Sequence, residues 1–110
     1  MIWLDVMIEA LDKVAVHTAS VTSDEFLASN LVQDAVALNF LVVGECANTL
    51  TASTRSKAAD APWPQIISLR HRIAHSYQAI DQLTIFGLAV NDAADLRSIL
   101  IKLRTTLEAP

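Results

Sequence analysis

The feature of this sequence that most limits its fold is a long segment, residues 24 to 50, that lacks proline and repeats apolar side chains every three or four positions. Such spacing lines up apolar side chains along one stripe of an α-helix. The pattern predicts a single helix of about eight turns. Ser23 or Asp24 can cap its start, and Glu25 lies near the positive end of the helix dipole.

The rest of the chain also shows helical spacing. Residues 2 to 19 predict a first helix. Residues 53 to 64 form the one loop-like stretch, and Trp63-Pro64 starts a third helix with proline in its first turn. A last helical region runs from residue 81 to about residue 107, and no alternation typical of β-strands occurs.

The last helical region is expected to bend, near Gly87 or at Asn91-Asp92. The chain therefore consists of four predicted helical segments, the last of which bends. We therefore predict an all-α fold, a four- or five-helix up-and-down bundle, in a single domain of residues 1 to 110.

Composition restricts the class of protein. The chain has 53% hydrophobic residues, two glycines and a positive mean hydropathy, so it is too apolar for a disordered protein. It is also apolar for a lone monomer, and we expect a buried face between identical copies. No window holds the ~18 apolar residues of a membrane helix and no signal-peptide pattern opens the chain, so a cytoplasmic protein is expected. The single cysteine, Cys46, is expected in the core.

Charge is divided unevenly along the chain. Residues 1 to 54 hold one basic and seven acidic residues, a net charge of −6. Residues 55 to 110 hold seven basic and five acidic residues, a net charge of +2. The overall charge of −4 argues against a non-specific nucleic-acid coat protein, whereas the basic half suits a substrate that carries phosphate.

The basic half contains the most polar cluster of the chain, residues 70 to 77, with the sequence RHRIAHSY. Histidine can take up or release a proton at neutral pH, and an arginine guanidinium stays protonated and binds phosphate oxygens. The cluster can therefore supply a proton-transfer group and a positive charge to a substrate that carries phosphate.

An ideal helix divides this cluster between two faces. At about 100° per residue, Arg70 and His75 lie about 140° apart. His71, Arg72 and His75 share one face, whereas Arg70 and Tyr77 share another. Arg72 therefore competes with Arg70 for the phosphate, and Arg70 can meet a His75 only through helix distortion or across a dimer.

The spacing within residues 70 to 77, an Arg, four residues, a His, one residue and a Tyr, resembles that of the HepT-like branch of the HEPN superfamily. Residues 39 to 48, with a Gly-Glu element, and the lead-in Pro62-Trp63-Pro64 are similar to the second and third helices of that family. The resemblance covers nearly the whole chain. His71 departs from the pattern, because the family most often has Asn at this position.

The resemblance implies a metal-independent endoribonuclease toxin of a toxin–antitoxin system, which acts on mRNA or tRNA, needs no cofactor, and builds its site where two copies of the chain meet. It implies that Arg70 and His75 are catalytic. RNA cleavage without a metal ion needs a base for the 2′-hydroxyl, an acid for the 5′-oxygen and positive charge at the phosphorane, so His75 would be the base or acid and Arg70 the stabilising charge. The supporting residues are His71, Arg72 and Glu45. Tyr77 matches the tyrosine to which a partner nucleotidyltransferase of the MNT type, the antitoxin, attaches AMP and so neutralises the toxin.

Each of these residues also has a plainer interpretation. The two histidines of the cluster could hold a metal ion, but zinc needs three or four ligands and no further ones are obvious, so no metal is expected. Arg70 and Arg72 could be structural partners of Glu45 or Asp81, and Glu45 could orient Arg70. Tyr77 could pack its ring in the bundle with its hydroxyl at the surface.

Two other function classes stay open. The chain could be a non-catalytic helical companion subunit that binds the nucleotide or substrate of a nucleotidyltransferase, because arginines can bind a nucleotide without cleaving RNA. It could also be a structural dimerisation domain. Trp3, Trp63 and the three phenylalanines are spread through the helices and are predicted to lie in the core, so the sequence shows no base-stacking platform for RNA.

Overall fold

The computed structural model describes residues 2–109, and every regular element in that range is a helix. In chain order the elements are α1 (Ile2–Thr18), α2 (Ser23–Leu27), α3 (Asn30–Thr49), α4 (Ala52–Ser56), α5 (Trp63–Ser76), a 3-10 turn (Tyr77–Ala79), α6 (Gln82–Gly87), a π-helical segment (Leu88–Asp92) and α7 (Ala93–Glu108). The long members α1, α3, α5 and α7 form the bundle. The predicted all-α fold is confirmed.

The single helix predicted for residues 24 to 50 is broken in the structure, so that prediction is wrong. α2 ends at Leu27, and Ser29 caps α3 by accepting a hydrogen bond from the Val32 N–H at 3.2 Å. The side-chain amide of Gln33 donates to two carbonyls in the last turn of α2, at 3.0 and 3.1 Å. A serine that caps a new helix competes with continuation of the old one, which explains the break.

The cap of α2 also differs from the prediction. Thr22 is the cap, rather than Ser23 or Asp24. Its hydroxyl accepts a hydrogen bond from the Glu25 N–H at 3.1 Å, and its own N–H donates to the Glu25 carboxylate at 2.9 Å. Of the three adjacent polar residues, Thr22 is the one followed three positions later by glutamate, as a capping box requires.

The stretch predicted as a loop, residues 53 to 64, contains most of α4 and is more ordered than expected. The indole N–H of Trp63 donates to two carbonyls of α4 and the turn after it, at 3.1 and 3.0 Å. α5 begins at Trp63 with Pro64 in its first turn, as predicted. In the region where a bend was predicted, the regular α-helix is interrupted by the π-helical segment between α6 and α7.

The core lies mainly among α1, α3 and α7. α1 packs against α3 and α7, and α3 packs against α5. Ion pairs join Asp5 to Arg104 at 2.9 Å and Asp12 to Arg97 at 2.6 Å, so α1 and α7 run antiparallel. The most deeply buried large side chains are Phe26, Leu4, Met7, Leu11, Ile85, Leu100, Leu103, Val14, Val36 and Val43. α5 is peripheral, because only its Trp63 and Ile73 are buried.

The burial predicted from the sequence is found for some residues and not for others. Cys46 and Trp63 are buried as predicted, whereas Trp3 is 44% exposed, so its assignment to the core is wrong. Trp3 precedes the buried Leu4 and therefore points about 100° away from the core-facing stripe of α1. The other exposed large apolar residues are Ile2, Val16, Leu27, Leu31, Leu38, Leu83 and Val90. Within residues 2–109 no helix has the length and apolar character needed to cross a membrane.

Candidate functional site

The polar cluster lies at the end of α5 and the start of the 3-10 turn. The two faces expected from helix geometry are present. Arg70 and Tyr77 each form a hydrogen bond with a side chain of α3, whereas His71, Arg72 and His75 are exposed. The cluster is therefore anchored to α3 on one face and open to a ligand on the other.

Arg70 is held by Glu45 of α3. Its Nε atom lies 2.7 Å from Glu45 Oε1, and the side chains are 27% and 51% exposed. The terminal nitrogens of the guanidinium make no hydrogen bond to any residue in the range 2–109, so they are available to phosphate oxygens. A pair this exposed contributes about 0–1 kcal/mol to stability, so its main effect is to orient Arg70. The expected contact between Glu45 and Arg70 is thus present.

Gly44 allows this contact by letting α5 approach α3 closely. A Cβ atom at position 44 would overlap Arg70 Cβ and lie 3.0 Å from Arg70 Cγ and 3.1 Å from the Ile66 carbonyl oxygen. Only a residue without a side chain fits there. The Gly-Glu element of the sequence therefore has a structural explanation, since Gly44 provides the space for Arg70 and Glu45 binds it.

The imidazole rings of His71 and His75 lie side by side, one helical turn apart. Their centroids are separated by 4.6 Å and their planes are tilted by 49°. Neither ring forms a hydrogen bond with any of residues 2–109, and Arg70 is bound to Glu45 instead. The structure thus brings the two histidines together, but it does not bring Arg70 to His75 within one chain.

The hydroxyl of Tyr77 donates a hydrogen bond to Asp34 Oδ1 of α3 at 2.6 Å. Burial, the hydrogen bond to Asp34 and the negative charge of Asp34 raise the pKa of Tyr77 from 10.0 to about 12, against a smaller opposing effect of Gln82. Tyr77 therefore holds its proton firmly. Its hydroxyl lies at the edge of the cluster, two residues after His75.

Asp34 is a site residue that the sequence reasoning did not single out. It precedes Glu45 by 11 positions, which is about three helical turns, so both carboxylates lie on one face of α3. Arg70 on α5 contacts Glu45, and Tyr77 at the start of the 3-10 turn contacts Asp34, so the two contacts follow in antiparallel order. The shared face of Asp34 and Glu45 could have indicated Asp34, but only once α3 and α5 were known to be neighbours.

Arg72 faces a groove of about 430 Å³ between α5 and α7. The floor includes Phe40 and Val43, and Asp92 and Asp95 also line it. Arg72 makes no ion pair with residues in the described part of the chain. The contact of Arg72 or Arg70 with Asp81 that the sequence allowed is absent from that range, because Asp81 caps α6 through the Leu83 N–H and the Thr84 hydroxyl.

Metal-ligating side chains are not clustered in the range 2–109, where no group of three or more His, Cys, Asp or Glu could hold an ion. The His71–His75 pair supplies two ligands, fewer than a zinc site needs. Cys46 lies in the core, where burial and then the charge of Glu45 raise the pKa of its thiol. It has the environment of an unreactive core cysteine.

Known proteins resemble the chain over most of its length. A sequence model of one family, described as Ribonuclease HepT-like, matches residues 7–103. A Thermococcus cleftensis protein named "Probable ribonuclease HepT" is 22% identical over 102 residues, which is 93% of each chain. A Methanocaldococcus jannaschii protein provisionally named an RNase is 28% identical over 85 residues, 77% of this chain and 70% of the relative.

A longer M. jannaschii protein, named as a gamma-glutamylcyclotransferase and provisionally as an RNase, is 24% identical over 107 residues. The match covers 97% of this chain and 48% of the relative, so the chain spans about half the length of that protein. No solved structure matches the chain. With a family match that extends from α1 into α7, the chain belongs to the HepT-like ribonuclease family.

Proposed function

We propose that this protein is a metal-independent endoribonuclease and the toxin of a toxin–antitoxin pair, acting in the cytoplasm on mRNA or tRNA. The observation that carries the proposal is that His75 is exposed to solvent close in sequence to Arg70. The side chain of Arg70 is oriented by its ion pair with Glu45 of α3. Family membership and the names of the relatives agree with this activity.

The chemistry assigns a role to each group. His75 exchanges a proton with the reacting oxygens as the 2′-oxygen attacks the neighbouring phosphorus and the 5′-oxygen leaves. The terminal nitrogens of Arg70 bind the phosphoryl oxygens as negative charge builds up in the transition state. Glu45 orients Arg70, and Arg72 adds positive charge on the exposed face.

Two copies of the chain are proposed to form the working site. In a twofold dimer whose two polar clusters line one cleft, Arg70 and Arg72 of both copies would surround the RNA backbone. A single copy would provide only two arginines, on one peripheral helix. The exposed apolar residues of the single chain fit a protein that buries part of its surface in such a dimer.

Control of the toxin is proposed to act at Tyr77. A partner nucleotidyltransferase of the MNT type would attach AMP to its hydroxyl, with loss of the hydrogen bond to Asp34. The added phosphate would lie on the polar cluster, two residues after His75, where its negative charge competes with the RNA phosphate for the arginines. Nucleotidylation would thus block RNA binding and leave the fold intact.

The experiment is induced expression of the wild-type chain, His75→Ala and the control His17→Ala, which changes an exposed histidine at the end of α1. We expect the wild type and His17→Ala to stop growth and to fragment cellular RNA, and His75→Ala to do neither. Harmless wild-type protein and intact RNA would contradict the proposal and favour the companion subunit of a nucleotidyltransferase.

A further inference from the structure

We propose that the groove between α5 and α7 is the face through which two copies of the chain pair, each copy placing its α5 against the groove of the other around a twofold axis. This inference rests on the dimer of the proposed function and adds the surface that forms it. Arg70 is bound to Glu45 and does not meet His75 within one chain, so the proposed site is incomplete without the second copy.

The groove is a gap in the helix bundle. α5 packs against α3, and α7 packs against α1, but α5 and α7 are not a closely packed pair. The space between them is about 430 Å³, and the α3 side chains Phe40 and Val43 form part of its floor. Apolar surface of this kind is normally covered by a neighbouring helix.

Two stripes of apolar side chains with helical spacing face this gap, one on α5 and one on α7. They are Ile66 and Leu69 on α5, and Leu96 and Ile99 on α7. Residues three or four positions apart lie on one side of a helix, which is how a helix packs against a neighbour. All four side chains are half-buried, so the single chain covers these stripes only in part.

Charged side chains of both signs line the same groove. Arg72 lies on the α5 side, Asp92 and Asp95 lie on the α7 side, and Asp60 lies before α5. All four are exposed, and none forms an ion pair within residues 2–109. A twofold axis brings the same patch of two copies together, so Arg72 of each copy can meet a carboxylate on α7 of the other. The groove is therefore complementary to a second copy of itself.

The exposed apolar strip on α3 is less suited to a second copy. Leu31 and Leu38 lie two turns apart on this helix and are 81% and 60% exposed. The charged residues on the same side of α3, Asp34 and Glu45, are both carboxylates. Two such strips would bring like charges together, which disfavours pairing through α3.

Pairing through the groove also brings the two polar clusters together. α5 carries one stripe of the groove and ends in the cluster, and Arg72 belongs to both. When two copies of α5 pack across a twofold axis, their last turns approach a common cleft. Arg70 of one copy can then act with His75 of the other.

The test measures the Kd of the dimer by sedimentation equilibrium for wild type, Arg72→Asp, Asp95→Arg and the control Lys13→Asp. The control makes the same charge change as Arg72→Asp at an exposed residue of α1, rather than on a helix that lines the groove. We expect the wild type and Lys13→Asp to dimerise equally, and both groove variants to raise Kd by about tenfold or more. A monomeric wild type, or groove variants that associate like the wild type, would overturn the inference.

A charge exchange distinguishes a contact across the dimer from a general effect of charge. Arg72→Asp is combined with Asp92→Arg or with Asp95→Arg, which restores opposite charges across the axis. We expect at least one of the two double variants to regain most of the wild-type affinity, and failure of both would overturn the inference. Leu38→Asp, on the α3 strip, should dimerise like the wild type. Loss of the dimer in Leu38→Asp but not in Arg72→Asp would assign the interface to α3 instead.

Cleavage of a mixed-sequence RNA oligonucleotide by the wild type separates this inference from the proposed function. A wild type that cuts RNA but does not pair through the groove contradicts the inference and keeps the ribonuclease function. A wild type that pairs through the groove but cuts no RNA supports the inference and contradicts the ribonuclease function.

Discussion

Arg70 lies so close to Gly44 that a methyl group on residue 44 would overlap its Cβ atom. This contact joins the two halves of the candidate site, because Gly44 precedes the Glu45 that binds Arg70. The position of the arginine therefore depends on the absence of a side chain on the neighbouring helix. Helix packing and the orientation of the proposed catalytic charge are coupled at this point.

Gly44→Ala should destabilise the protein by about 1–3 kcal/mol and lower ribonuclease activity, because the added methyl group pushes α5 away from α3. The matched control is Gly87→Ala, since no atom lies within 4 Å of a Cβ there and the glycine has ordinary helical φ. We expect Gly87→Ala to be neutral or to stabilise by up to about 1 kcal/mol. Urea unfolding of both variants measures the difference, and equal stability would refute the packing argument.

Glu45→Ala should reduce kcat with a stability loss below about 1 kcal/mol, because it frees Arg70 from its partner without changing the core. Glu45→Gln keeps an acceptor oxygen and should retain more activity than Glu45→Ala. Asp12→Ala is the control, because it breaks a comparable ion pair with Arg97 between α1 and α7, neither of which carries the cluster. Equal activity of Glu45→Ala and Asp12→Ala would show that Glu45 does not orient Arg70.

Tyr77 should titrate with a pKa of about 12, above the ordinary value of 10.0. The chain has one tyrosine, so ultraviolet absorbance of the phenolate reports it directly. The folded protein binds this proton more tightly than the unfolded chain does. The contribution of Tyr77 to stability is therefore complete below pH 10 and is lost as pH rises through the folded pKa.

Asp34→Asn should lower the pKa of Tyr77 below the wild-type value but leave it above 10.0, since burial is the largest cause of the shift. Asp24→Asn, a change at an exposed carboxylate of α2, should leave the titration unchanged. A wild-type tyrosine that titrates at its ordinary pKa would contradict the contact with Asp34.

Much of the fold was predictable from the sequence, because helical spacing of apolar residues reflects which face is buried. The start of α5 followed from Pro64, and the π-helical segment before α7 lies in the region where a bend was predicted. The break between α2 and α3 could not be predicted from this spacing. It depends on whether Ser29 caps a new helix or continues the old one, and on the hydrogen bond from the Gln33 amide to α2. Such local competitions leave the apolar periodicity unchanged.

The candidate site was predictable where its residues are close in sequence. The two faces of the cluster, with Arg70 and Tyr77 on one and His71 and His75 on the other, follow from helix geometry alone. Glu45 was singled out as a supporting residue that could orient Arg70, and the contact is present. The contact of Tyr77 with Asp34, separated by 43 positions, could not be read from spacing, because it depends on how α5 packs against α3.

The central claim is that His75 cleaves RNA without a metal ion. The most direct test is the single-turnover rate at which purified wild type, His75→Ala and His17→Ala cut tRNA in the presence of EDTA. We expect the wild type and His17→Ala to cut at equal rates and His75→Ala to be slower by about 100- to 10,000-fold. Equal rates for wild type and His75→Ala, or no cleavage by the wild type, would contradict the account.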